Sequence, residues 1–216
     1  MSQIALSPNA SGTGTFTLQS PATNTNRTLT LPDTTTTFVG TDATQTLTNK
    51  TLGSGLVMSA SAITSGTSVA STSGTSIDFT GIPSWVKRIT IMLNGVSTTG
   101  TVPLLYQLGT SSGIVTTGYV SSGTYQGIGS GGTQSTSGML NAAGGAAADT
   151  SVGITTICKF SGNTWVSCSV SGDGNADYSK TAGGAVTLSG TLDRLRITTT
   201  TGTPTFDAGS INILYE

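Results

Sequence analysis

The chain has 216 residues, a formal net charge of −1 and only 8% charged side chains, against about 25% in an average domain. Ser and Thr together supply 73 residues and Gly 30 more, while hydrophobic residues reach only 35%. That balance excludes electrostatic capture of a polyanion or of an anionic membrane, and net charge this low argues against wholesale disorder.

The length suits one ordinary domain with an appendage, or one large all-β domain. Charges are unevenly placed: between Arg88 and Asp149 there is no Asp, Glu, Lys or Arg. A surface kept soluble by hydroxyls alone tends to associate, so an oligomer is expected. No run approaches the roughly 18 apolar residues of a membrane span. The start, Met1 to Leu6, lacks a basic region followed by an apolar core, so no secretory signal is expected and the product matures in a cytoplasm. Cys158 and Cys168 are too few for a disulfide framework.

Residues 1–40 alternate small apolar groups with hydroxyls. Phe16 with Leu18, and Leu29 with Leu31, each share one face of a short strand. Pro8, Pro21 and Pro32 exclude a long helix. The segment reads as an arm that docks on a larger particle, or as a disordered tail. Residues 53–74 are nearly all Gly, Ser, Thr, Ala and Val and carry no charge. They read as a linker or as a weak strand around Val69, with the boundary near Gly53 to Gly55.

From Thr75 the strand signal strengthens. Ile77 and Phe79 alternate with Asp78, and Gly81-Ile82-Pro83 makes a turn. Lys87 to Leu93 is the clearest strand, with Ile89, Ile91 and Leu93 on one face and Arg88, Thr90 and Met92 on the other. Asn94-Gly95 suits a hairpin turn and equally a bulge, because Val96 continues the pattern. Val102, Leu104, Tyr106 and Leu108 repeat the period of two. Gly109 to Thr150 is a long uncharged region with Tyr119, Tyr125 and Met139 among strand-like pieces; such a stretch is functional or elaborated into hairpins. Ile154 to Phe160 and Trp165 to Val170 flank the turn signal Ser161-Gly162-Asn163-Thr164. Ala185 to Leu188, Asp193 to Thr199 and Ile211 to Tyr215 follow at regular spacing. No amphipathic helix of useful length is visible. The class is all-β, as a β-sandwich or jelly roll.

Between the arm and this domain lies Thr41 to Leu52, β-branched and polar, with Leu47 and Leu52 as its only large apolar side chains. One copy has almost nothing to bury there, so the ordering cost of roughly 1–2 kcal/mol per residue is unmet unless identical chains wind together. Leu47-Thr48-Asn49-Lys50-Thr51-Leu52, preceded by Gln45 and Asp42, resembles a linker in fibre proteins of tailed bacteriophages. Thr75 to Thr90, with Leu195 to Thr198 and Phe206 to Glu216, is similar to a β-rich module of phage structural proteins. The resemblance implies three-fold symmetry with Leu47 and Leu52 in a trimer stem. It also implies partners among other virion proteins, of the tail, the baseplate or the capsid.

Chemistry is sparse. The chain has no His, and its one Glu is Glu216, which removes His-based triads, general bases and zinc ligation. Paired Asp residues for glycoside cleavage are a minor reading, because the Asp residues fall in turns and at strand ends. Asp173-Gly174-Asn175-Ala176-Asp177 starts like a calcium loop but has Tyr178 where Gly is needed and Gly184 where Glu is needed. It reads as a polar hairpin loop. Gly127 to Gly132 matches a dinucleotide fingerprint only in letters, since no helix follows.

Cys158 and Cys168 face each other across one hairpin, directly opposed if the turn has three residues, and read as small buried core residues rather than a disulfide. Trp85 reads as core or interface. Tyr119 and Tyr125 read evenly as core or as a platform on which sugars stack, because a tyrosine joins an apolar face to a polar tip.

The expected organisation is an attachment arm over 1–52, a linker or first strand over 53–74 and a β-sandwich head over 75–216. The expected assembly is a homotrimeric tail fibre that recognises a host surface glycan. It has no cofactor, metal, nucleic-acid partner or membrane insertion. A capsid head fibre or decoration protein is the alternative, and a polysaccharide-degrading enzyme trails both.

Overall fold

The computed structural model describes residues 63–216, together with residues 11–15, 17, 19, 22–26 and 28. The predicted stem leucines Leu47 and Leu52, the strands at Phe16, Leu18, Leu29 and Leu31, and the boundary near Gly53 lie outside the described residues. The chain divides into two units, 1–56 and 57–216. The described residues of the first are exposed, and among them Thr25 N donates to Thr23 Oγ1 at 3.1 Å.

The second unit is all-β, with no helix among its described residues and therefore none long and apolar enough to cross a membrane. Its strands are β1 (Thr64–Ser65), β2 (Val69–Ala70), β3 (Ile77–Thr80), β4 (Arg88–Thr98), β5 (Leu104–Thr110), β6 (Gly113–Ile114) and β7 (Val120–Gly127). Then come β8 (Ser130–Ser135), β9 (Met139–Leu140), β10 (Ser151–Ser161), β11 (Thr164–Asp173), β12 (Tyr178–Thr187), β13 (Arg194–Thr199) and β14 (Phe206–Tyr215).

Two antiparallel sheets form. The larger has nine strands in the order β1-β14-β4-β10-β11-β12-β7-β8, with β2 also on β14. The smaller has five, in the order β3-β13-β5-β6, with β9 also on β5. The predicted alternation is visible along β4: Ile89, Ile91 and Leu93 are buried while Arg88 is exposed. They meet Ile157, Ile211 and Ile213 of the same sheet, and Ile77, Tyr106, Leu108, Leu195 and Ile197 of the other. Truncating one of these to Ala costs about 2–5 kcal/mol, because the cavity adds to the lost transfer energy.

Asn94-Gly95 is a bulge. β4 runs on to Thr98 with Gly95 at φ 65°, and the register to β10 slips between Leu93–Gly153 and Val96–Ser151. Gly109 to Thr150 is elaborated into strands β6 to β9, of which β7 and β8 form a hairpin. Gly127 to Gly132 is the turn of that hairpin rather than a strand-to-helix loop. Within the described residues 63–74, the weak strand read around Val69 is β2; β1 and β2 both add to β14, and buried Ser71 donates to Ala208 O at 2.7 Å.

The large sheet is wider than the small one, so the inner face of β11, β12 and β7 overhangs it. The chain from Asn141 to Thr150 covers this overhang. Asn141 N donates to Leu104 O at 3.0 Å, its Oδ1 accepts from Tyr106 Oη at 3.0 Å and Ser169 Oγ at 2.9 Å, and its Nδ2 donates to Ser171 Oγ at 3.3 Å. One buried amide thus bridges the small sheet, the covering segment and the large sheet.

Tyr119 corrects the reading of both tyrosines as even candidates for the surface. It is 1% exposed. Its hydroxyl accepts from Leu108 N at 2.7 Å and donates toward Val115 O at 3.0 Å. The ring fills the core beside β5 while its neighbour Val120 is 77% exposed. Burial pushes the Tyr119 hydroxyl up to about 12, against the opposing hydrogen bond from Leu108. Burial also raises that of Tyr106.

Both hydroxyls therefore stabilise the fold fully below pH 10, and the unfolded chain gains by ionising as the pH rises from about 10 toward 12. Tyr119→Phe leaves the Leu108 N–H without its acceptor and should cost about 1–3 kcal/mol at neutral pH. Denaturant titrations from pH 7 to 11 should show the native protein weakening above pH 10 and the variant weakening less steeply. Equal slopes would remove Tyr119 from the account.

Candidate functional site

The overhang also carries a concave site built of aromatic and charged side chains. Pairing along the sheet places Tyr125 of β7 opposite Lys180 of β12 and Gly131 of β8, with Tyr178 two residues before Lys180. All four therefore share the inner face. The rings of Tyr125 and Tyr178 meet edge to face, 5.5 Å between centroids at 88°, a favoured geometry for two quadrupoles. With Asp149, Lys180 and the backbone of Ala143 to Ala146 they enclose a groove of about 200 Å³.

Two glycines fix the Tyr125 ring. A Cβ at Gly131 would lie 2.7 Å from Tyr125 Cε1, and one at Gly144, where φ is 67°, would lie 3.0 Å from the same atom. Only a residue without a side chain lets the ring sit so close to both backbones.

Lys180, only 5% exposed, forms the floor. Its ammonium donates to Asp149 Oδ2 at 3.0 Å and Asp173 Oδ2 at 3.1 Å. Burial works against ionisation of Asp173, but the hydrogen bond from Thr150 N and the Lys180 ammonium outweigh it and hold the carboxyl below its ordinary value. Asp149 Oδ2 also accepts from Ala146 N at 3.0 Å, closing the turn that forms the groove wall. The β11–β12 connection grips the same segment: Gly174 N donates to Thr150 O at 2.8 Å, and Asn175 Nδ2 donates to Ala148 O. Asp173 to Asp177 is thus a polar hairpin loop with its first carboxylate committed to Lys180. No group of three or more metal-ligating side chains occurs among the described residues.

A second surface lies on the opposite face of the large sheet. Cross-strand pairs Ile154–Val170, Cys158–Val166 and Ala185–Val120 (the last through β12) set an apolar field facing outward. Ile154 is 53% exposed and Val170 60%, and Phe160 stands at the end of β10. Thr124–Thr181 and Thr164–Thr187 hydroxyl pairs, at 3.1 and 2.9 Å, run beside it. No outward position of β7, β10, β11 or β12 is charged. A shallow hollow lined by Ser122, Thr124, Cys168, Thr181 and Gly183 adjoins the Ile154–Val170 ridge.

Of the sequence-predicted site residues, Tyr125 lines the groove, Tyr119 is in the core, and Leu47 and Leu52 lie outside the described residues. Tyr178, Lys180 and Asp149 were missed; a tyrosine two positions before the lone Lys of β12 was the available signal. Trp85 is not core in this chain: it is half exposed, its ring 5.9 Å from that of Tyr215. Cys158 and Cys168 correct the expectation of two buried, opposed residues. The turn has two central residues with a bulge beside Lys159, so Cys158 faces Val166 and Cys168 faces Thr156. Both thiols are free, Cys158 partly buried and Cys168 exposed.

No family model matches the chain, and neither a curated protein nor a solved structure matches it.

Breaking the Lys180 pair strands the buried Asp173 carboxylate beside a partly buried Asp149, so Lys180→Met should destabilise the fold by about 3 kcal/mol at pH 7. Because Asp173 titrates below its ordinary value, its contribution is complete above about pH 4 and is lost as the pH falls further. Lys180→Met should therefore lose less stability than the native protein between pH 5 and 2. A neutral-pH penalty under 1 kcal/mol would show that the cluster is not structural.

Proposed function

We propose that this chain is a fibre subunit of a bacteriophage virion, a binding protein rather than an enzyme. In this reading residues 1–52 form the attachment arm and stem, joining a tail or baseplate component through the N-terminus. The β-sandwich head associates with two further copies and meets the host surface. Leu47 and Leu52 of the stem then face their own copies, and assembly takes place in the host bacterial cytoplasm.

One observation carries the reading: across β7, β10, β11 and β12 the outward face of the large sheet carries no charge and exposes Val120, Ile154, Val166 and Val170, with the Arg88–Glu216 pair beside it at β4. Patches of this kind mark interaction sites. A neutral face also meets a copy of itself without like-charge repulsion. The ridge at Ile154 and Val170 lies beside a hollow, the arrangement that a head-to-tail ring uses, because each subunit offers a different part of the face to its neighbour. The sequence resemblance supplies the particle and the three-fold symmetry. The same face also favours a second reading, a capsid head fibre or decoration protein in which it seats on the major capsid protein.

Cys168 reports on this face directly. In the isolated full chain at micromolar concentration, maleimide should label Cys168 at least tenfold more slowly than in an Ile154→Asp/Val170→Asp variant that cannot associate. Fast labelling in the native chain that slows only on particles would favour the capsid reading. Fast labelling in both settings would end both. Separately, residues 63–216 alone should keep their β structure and fail to join particles; incorporation of that fragment would show that the head itself docks.

A further inference from the structure

We propose that the groove between Tyr125 and Tyr178 seats one ring of a neutral saccharide. The inference rests on the surface-recognition reading for the source of that sugar, and on the groove alone for its chemistry.

Volume sets the first limit. A groove of about 200 Å³ has room for a single small ring. Charge sets the second. Among the described residues the groove's only cation is the Lys180 ammonium, already held by Asp149 and Asp173, so none of them offers a free positive charge to a carboxylate or sulfate. An organic cation is disfavoured as well, because Lys180 itself stands in the floor and the tyrosines meet edge to face rather than forming a cage of ring faces.

What the groove does offer matches a pyranose. Aromatic surface on Tyr125 and Tyr178 suits the C–H face of the ring. Asp149, which lines the groove and is held through Oδ2 by Ala146 N and Lys180, offers a charged acceptor to a sugar hydroxyl, and such hydrogen bonds are among the stronger ones. The site is also built in advance. Gly131 and Gly144 clamp the Tyr125 ring, Lys180 and Ala146 N hold Asp149, and Asn175 secures the wall. Little ordering entropy remains to be lost on binding. One small ring in an open groove still gives an affinity only on the order of millimolar, so useful adhesion requires several heads acting together.

Saturation-transfer NMR on the full chain tests this with five probes at millimolar concentration: methyl α-D-glucopyranoside, methyl β-D-galactopyranoside, N-acetylglucosamine, N-acetylneuraminic acid and choline. Transfer should reach the ring protons of at least one of the three neutral sugars and neither charged probe. Tyr178→Leu should reduce it at least tenfold. Ala146→Phe, which fills the groove from an exposed position and spares the buried clusters, should do the same while circular dichroism stays native.

Absence of transfer to every neutral probe, stronger transfer to a charged probe, or undiminished transfer in Ala146→Phe would overturn the proposal. Sugar binding without adsorption of the protein to bacterial cells keeps the site and ends the fibre reading. Cell adsorption that survives Ala146→Phe ends the site and keeps the fibre reading.

Discussion

The head depends on the side-chain amide of Asn141. Nine strands face five, so part of the large sheet's inner face would open to water unless another segment covered it. That part carries Ser169, Ser171 and Lys180, which no apolar cover could satisfy. The Asn141 amide accepts from Tyr106 and Ser169 and donates to Ser171. It therefore pins the covering segment to both sheets at once. A buried amide without partners costs more than its hydrogen bonds return, so this network permits one placement of the segment and disfavours the rest. Lys180 repeats the device at the outer end, with two carboxylates in place of hydroxyls.

That placement gives the two faces of the large sheet different characters. Inside, the polar groups under the covering segment are paired, while Trp165 Nε1 is buried without a partner; a groove is left at the rim, and glycines fix the Tyr125 ring beside it. Outside, on β7, β10, β11 and β12, apolar side chains alternate with Thr, Ser and Gly, and Ile154, Phe160 and Val170 are exposed among the described residues. A protein with 8% charged residues has few means of keeping such a face in solution. The proposed self-association would cover it, and a face without net charge sets no electrostatic preference against its own copies. The two surfaces are also compatible, because a groove on the inner side of the sheet stays open when the outer side is closed by neighbours.

Much of the scaffold was legible because strands with one buried face write a period of two into the sequence. Ile89, Ile91 and Leu93 marked β4, and Gly162-Asn163 marked the β10–β11 hairpin. Registers were less legible. A two-residue turn in place of three and one bulge beside Lys159 together moved Cys158 from Cys168 to Val166, and the composition shows neither. Tyr119 and Tyr125 have the same flanking chemistry, Gly, Ser and Thr, yet one closes the core and the other lines the groove. Their difference arises from β5, which meets only the first. Lys180 was invisible as a site residue, because its partners lie at Asp149 and Asp173 and only the fold brings them together. The short strand β1 was hidden for a related reason, since a two-residue pairing carries too few side chains to show a period, whereas β2 falls on the weak strand read around Val69.

The central claim is that the outward face of the large sheet is closed by copies of the same chain. Sedimentation equilibrium of the full chain at micromolar concentration tests it without reference to any receptor or particle. The account predicts a single species of three times the 21.5 kDa chain mass, reduced to the chain mass when Ile154 and Val170 are both replaced by Asp. A native protein that sediments at 21.5 kDa over that range would contradict it.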